Sequence, residues 1–125
     1  MSQLKKIPEA EFEIMKVVWS NEPPLTTKVI MEQLGNEKEW KAPTVISLML
    51  RLVERGFLKT EKIGKERTYF PLITKEDYLK FETGNFIRQY HGNSFVSFVN
   101  TFYDGKELSE KDMDELMELV KERRK

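Results

Sequence analysis

Lys62, Lys65 and Arg67 crowd around Gly64, and Thr44 and Ser47 stand three residues apart in a segment of helical apolar periodicity. Cations at that density suit phosphate oxygens, which attract them whatever the base sequence. Short hydroxyls early in a helix suit base edges or phosphates, and Ile46 and Pro43 beside them are able to touch thymine methyl groups. Lys28, Lys41 and Arg51 are further candidates for phosphate contact, with Arg51 equally able to pair with Glu54 or Glu32. The chemistry these residues offer is therefore recognition of double-stranded nucleic acid.

Catalysis has little to work with. The chain has no cysteine and one histidine, His91, which removes disulfides, thiolate chemistry and histidine-rich metal sites. The remaining carboxylates and lysines fall on solvated helix faces, so no enzyme, metal or other cofactor is expected. The net charge is zero over 125 residues, but it is unevenly spread. Residues 41–67 hold 7 Lys/Arg against 3 Asp/Glu, while residues 74–125 hold 9 against 11. The positive footprint is modest and lies where a DNA contact would.

The elements that must carry these residues are legible from periodicity. Val45, Leu48, Met49, Leu52 and Val53 give an amphipathic helix over residues 42–55, ending at Gly56. Pro43, Ser47, Leu50 and Glu54 lie on its opposite face. Two short strands, 58–61 and 68–71, are expected next, joined by a charged turn over 62–67 with Gly64 at its bend. Upstream, a first helix begins near Pro8, with Ile7 as a staple and Glu9 and Glu11 in its first turn. A second is capped by Thr26 or Thr27 and expected to end at Gly35. Helix, helix, helix and hairpin make a winged helix-turn-helix, which puts one helix in the major groove and the hairpin beside it.

The predicted fold is mainly α with a small β-hairpin wing. A DNA-binding domain over 1–73 is followed by a helical dimerisation region over 74–125. In the latter, Thr74-x-x-Asp77 and Ser109-x-x-Asp112 resemble capping boxes, Gly92-Asn93 breaks the first helix, and Gly105 ends the second. Phe86, Tyr90, Phe95, Phe98, Val99 and Phe102 form one apolar set. Met113, Leu116, Met117 and Val120 form another. So short a segment cannot bury so many large side chains alone, which points to a symmetric homodimer. No run approaches ~18 apolar residues, so no membrane span is expected. The N-terminus lacks an apolar signal region, which leads us to expect a cytoplasmic protein.

The residues further resemble the BlaI/MecI penicillinase-repressor family of bacterial transcription regulators. The similarity rests on Glu13-Ile14-Met15-Lys16-Val17-Val18-Trp19, on Trp40 with Thr44-Val45, Leu48 and Arg51-Leu52, on Arg55-Gly56-Phe57, on Tyr69-Phe70-Pro71-Leu72, and on the phenylalanine-rich helix followed by Leu108-Ser109. It implies a homodimeric repressor on an inverted-repeat operator. In the penicillinase repressors, a membrane sensor-protease triggers cleavage of an Asn-Phe bond in the phenylalanine-rich helix. The matching bond here is Thr101-Phe102, with Asn100 one residue away. The copper-responsive branch uses C-terminal cysteines, which this chain lacks. Groove-facing positions that are often basic or amide in the family hold Pro43 and Ile46 here.

Two other readings fit the same residues. Ile46 and Leu50 could extend the core contact or form a protein-binding face on a winged-helix interaction module. The aromatic-rich tail could hold a small-molecule inducer, since a dimer seam and a pocket use the same side chains.

Overall fold

The structure, a computed structural model, describes residues 4–104 and 108–124. It divides into two compact units, the first running to Glu82 and the second starting at Thr83.

In the first unit, helix α1 (Glu9–Trp19) starts on Pro8, whose extended ψ of 155° turns the chain in, with Glu9 and Glu11 in the first turn. Ile7 is buried ahead of it, as a staple requires, and Ile14, Met15 and Val18 fill the core. Thr26 caps α2 (Thr27–Ile30), its hydroxyl accepting from the Val29 N–H at 3.3 Å. The expected stop at Gly35 does not occur. A π turn (Met31–Gly35) carries the helix on into α3 (Asn36–Lys38), with the Asn36 N–H bonded to the Met31 carbonyl. The wider turn keeps Leu34 in the core, and Glu39, at φ 59°, makes the break instead.

Helix α4 (Ala42–Glu54) buries Val45, Leu48, Met49 and Leu52, with Pro43 in its first turn. Its end is a Schellman motif: Gly56 adopts φ 83°, its N–H bonds the Val53 carbonyl at 3.0 Å, and the Phe57 N–H bonds the Leu52 carbonyl at 2.9 Å. That sharp stop delivers the chain directly into the hairpin.

Strands β1 (Leu58–Ile63) and β2 (Glu66–Pro71) pair antiparallel, with Leu58 opposite Pro71 and Ile63 opposite Glu66. They are longer than the sequence suggests. The charged stretch 62–67 is mostly strand, and only Gly64-Lys65 turns. Gly64 supplies the φ of 64° that the first central position of a two-residue hairpin turn needs. Charged side chains on a solvated ribbon do not end pairing; only the backbone bend does. Leu25 adds a one-residue third strand, exchanging hydrogen bonds with Tyr69 at 2.9 and 2.8 Å.

Tyr78, from the first turns of α5 (Lys75–His91), closes this core. Its ring packs on Phe12, Trp19, Phe57 and Phe81, with centroids 5.4–6.1 Å away. Its hydroxyl accepts from the Ile7 N–H at 3.0 Å and donates to Glu82 at 2.7 Å. The Trp19 indole N–H bonds the Ile73 carbonyl at 2.9 Å. The first unit thus takes in residues beyond Ile73, into the helix expected to open the dimerisation region. Burial, with the acceptor Glu82 alongside, pushes the Tyr78 hydroxyl up to about 12 from its ordinary 10.0.

In the second unit, Gly92 and Asn93 end α5 at φ 56° and 63°. Helix α6 (Phe95–Asp104) follows, then α7 (Glu110–Arg123). A reciprocal capping box opens α7: Ser109 accepts from the Asp112 N–H at 3.1 Å, and Asp112 accepts from the Ser109 N–H at 3.2 Å. Thr74 makes the corresponding first half with the Asp77 N–H at 3.0 Å. The expected helix end at Gly105 lies outside the described residues. Neither α6 nor α7 has a buried residue, and no described helix is long and apolar enough to cross a membrane.

Candidate nucleic-acid interface

Every candidate contact residue of the first unit is on its surface: Lys28, Lys41, Pro43, Thr44, Ile46, Ser47, Arg51, Lys62, Lys65 and Arg67 are all exposed. Five of them, Pro43, Thr44, Ile46, Ser47 and Arg51, lie on the exposed side of α4, and Lys41 precedes it. No side-chain hydrogen bond caps the start of this helix and no acid lies in its first turn, so no carboxylate offsets its positive end there. Ile46 is 40% exposed and Leu50 44%, and neither belongs to the buried core cluster, so each keeps a solvent-facing surface on α4.

Ion pairing sorts the cations into two groups. Arg55 is held by Glu11 at 2.7 Å, Lys59 by Glu61 at 3.2 Å, and Lys16 and Lys38 by Glu13. The Lys16 hydrogen bond keeps the Glu13 carboxyl below its usual value of 4.5. Among the described residues, Lys28, Lys41, Arg51, Lys62 and Lys65 have no acidic partner. Arg51 reaches neither Glu54 nor Glu32. Arg67 only donates to the Thr60 hydroxyl at 3.4 Å. Lys62 and Arg67 are direct cross-strand partners. Like charges so placed repel each other, a modest cost to the free hairpin that an anion between them would relieve. Arg55 and Lys59 are thus neutralised, while the cations of α4 and the hairpin tip, like Lys5, Lys6 and Lys75 elsewhere in the first unit, keep no acidic partner among the described residues.

Two structural roles escaped the sequence, the pairing of Glu11, read there only as a first-turn acid, and the packing of Tyr78. Glu11 is 1% exposed on α1, and Arg55 covers it with Nε at 2.7 Å and Nη2 at 3.4 Å from its two oxygens. This pair ties the end of α4 to α1, fixing how the helix is presented. The packing of Tyr78 is the other. Helical periodicity marks neither, because both act across long sequence separations.

In the second unit, none of the ten dimerisation candidates is buried. Phe98, Val99 and Leu116 are half-buried, and Phe86, Tyr90, Phe95, Phe102, Met113, Met117 and Val120 are exposed. Phe98 stands between Phe86 and Phe102, with ring centroids 6.2 and 6.1 Å away. An open apolar groove of about 670 Å³ is lined by Phe95, Phe98, Val99, Phe102 and Leu116, among others. Thr101-Phe102 is exposed within α6. Val96, Tyr103 and Leu119 add apolar surface that the sequence reading left out.

Comparison with known proteins gives a consistent result. Residues 7–122 match the family model described as penicillinase repressor. A penicillinase repressor of Bacillus licheniformis is 30% identical over 122 residues, covering 98% of this chain and 94% of that protein. The methicillin resistance regulatory protein MecI of Staphylococcus aureus (strain N315) is 29% identical over 92% of this chain and 93% of its own. Among solved structures, the DNA-binding domain of the repressor BlaI superposes with a TM-score of 0.54 at 32% identity, covering 62% of this chain and 94% of that one. The monomeric form of Bacillus licheniformis BlaI in complex with the blaP half-operator gives a TM-score of 0.52 at 32% identity, with the same coverages. Helices α1–α4 and the two-stranded hairpin of the first unit are therefore a winged helix, and the chain belongs to the BlaI/MecI penicillinase-repressor family.

Proposed function

We propose that this protein is a homodimeric transcriptional repressor acting in the bacterial cytoplasm, which holds an inverted-repeat operator through α4 and the hairpin of each protomer. The observation that carries this reading is the set of acid-free cations, Lys41, Arg51, Lys62 and Lys65, flanking an exposed, non-core face of α4. Lys62, Lys65 and Arg67 take phosphates of the duplex, while Thr44 and Ser47 reach base edges or the nearest phosphate. Lys28 supports the same strand from α2. The relative seen with the blaP half-operator supports this docking.

Dimerisation runs through the second unit. Its helices expose Phe86, Tyr90, Phe95, Phe102, Met113, Met117 and Val120, a concentration of large apolar groups that one chain leaves in water. A second copy covers them under two-fold symmetry, as the palindrome requires. Release follows when that contact is lost, because each half-site alone is held weakly. A sensor-linked protease acting at Thr101-Phe102 would do this. The bond sits in the last turns of α6, so fraying of that helix precedes cutting.

Fluorescence anisotropy against an inverted repeat from the protein's own upstream region, beside a scrambled duplex and over a salt series, tests the proposal. Tight binding that prefers the repeat and weakens steeply with salt is expected. Salt-insensitive binding, or none at low salt, would return α4 to the alternative of a protein-docking face.

A further inference from the structure

The outer face of α4 is unusual for a groove-reading helix in what it lacks. Pro43, Ile46 and Leu50, at i, i+3 and i+7, form an apolar strip along it, with Thr44 and Ser47 beside the strip. The two hydroxyls are the only side-chain hydrogen-bonding groups over residues 42–50. The commonest reading of guanine is a long cation forked onto O6 and N7. The one cation inside α4 is Arg51, in its last turn, whereas groove-entering helices read bases from their N-terminal part.

We infer that Ile46, with Pro43 a turn before it, determines sequence preference by packing on the 5-methyl groups of thymines in the major groove. This rests on the operator-binding reading and goes further, naming the base and the atom recognised. Thymine is the only base that presents a methyl group there, so an aliphatic side chain at this position selects it without a hydrogen bond. A protein partner fits this face poorly. It would cover the strip and leave the acid-free Lys41 and Arg51 buried beside it, whereas a duplex brings phosphates to both. The preferred half-site therefore carries a thymine opposite Ile46, and no forked arginine or lysine contact to guanine comes from the N-terminal part of α4.

The test uses the full-length protein and a duplex enriched from a random-sequence library, resynthesised with uracil at each thymine in turn. Uracil keeps the pairing edge and removes only the methyl. At the position facing Ile46, Kd rises about fourfold for one lost methyl contact, or about sixteenfold with both half-sites substituted. Ile46→Ala, an exposed change that leaves the core intact, loses a similar factor on the thymine duplex and little more on the uracil one. Equal, salt-sensitive binding of thymine and uracil duplexes overturns the inference and leaves the operator reading standing. A loss for Ile46→Ala that is the same on both duplexes overturns it too. Failure to enrich any duplex removes the operator reading, and this inference with it.

Discussion

Replacing Arg55 with methionine and, separately, Glu11 with methionine should have unequal effects, although both break the same ion pair. Glu11 is 1% exposed, while the Arg55 side chain is 39% exposed. Without Arg55, the carboxylate stays buried and uncompensated, for which the usual cost is about 3–5 kcal/mol. The partial exposure of the pair places this case near the lower end, at about 3 kcal/mol. Without Glu11, the guanidinium turns to water. The loss is then two charge-assisted hydrogen bonds offset by a buried apolar side chain, a net cost of about 1 kcal/mol. In a domain of this size these correspond to falls in Tm of about 12–24 °C and 4–8 °C. Trp19 and Trp40 both pack against the core of the first unit and are the chain's two tryptophans, so their fluorescence follows this unit alone. Equal losses, or a larger loss for Glu11→Met, would refute the claim that buried charge dominates the pair. Because Glu11 already neutralises Arg55, Arg55→Met at a temperature where it is folded should leave the salt slope of DNA binding unchanged.

Lys62→Ala with Lys65→Ala should weaken binding to specific and scrambled duplexes alike, and lower the slope of log K against log salt by about 2 per protomer; a change in preference between the duplexes would contradict a phosphate role. Tyr78→Phe removes the bonds to Ile7 and Glu82 and should cost about 1–3 kcal/mol in urea unfolding. The Tyr78 hydroxyl ionises near 12 in the folded protein and near 10.0 unfolded, so its contribution is complete below pH 10.0 and is lost as pH climbs toward 12. Ultraviolet absorbance should show a late-ionising tyrosine component that the phenylalanine variant lacks. Truncation after Tyr90 should leave a folded monomer, by sedimentation, whose operator affinity is lower by about 10²–10⁴; undiminished affinity would end the avidity argument.

What could be read from the sequence and what could not divides along physical lines. Helix α4 was legible residue by residue, since Val45, Leu48, Met49 and Leu52 repeat at the helical period and Gly56 gives a stop that only a left-handed residue makes comfortably. The hairpin was legible in kind but short in extent, because charge in a strand tip looks the same as charge in a turn. Gly35 misled, since a π turn needs no sequence signal beyond the burial of Leu34. The contact candidates on α4 and the wing were all found on the surface, but their distinction from Arg55 and Lys59 was invisible. It depends on Glu11, forty-four residues from Arg55 in the chain, and on which face of the hairpin Glu61 occupies.

The hairpin has a further consequence, unrelated to DNA. β2 is flanked on one side by Leu25 and on the other by β1, so the far margin of β1 offers backbone groups that no described strand pairs. Such a margin is a template on which copies of a protein polymerise sheet to sheet. Here it carries Lys59, Glu61 and Lys62, with Arg67 and Lys65 adjoining. Two such margins brought together antiparallel with Lys59 opposite Lys62 would place lysine against lysine. Charge at the tip works against such pairing, so apolar replacement of Lys62 and Lys65 should cause aggregation, read by light scattering, before it causes unfolding.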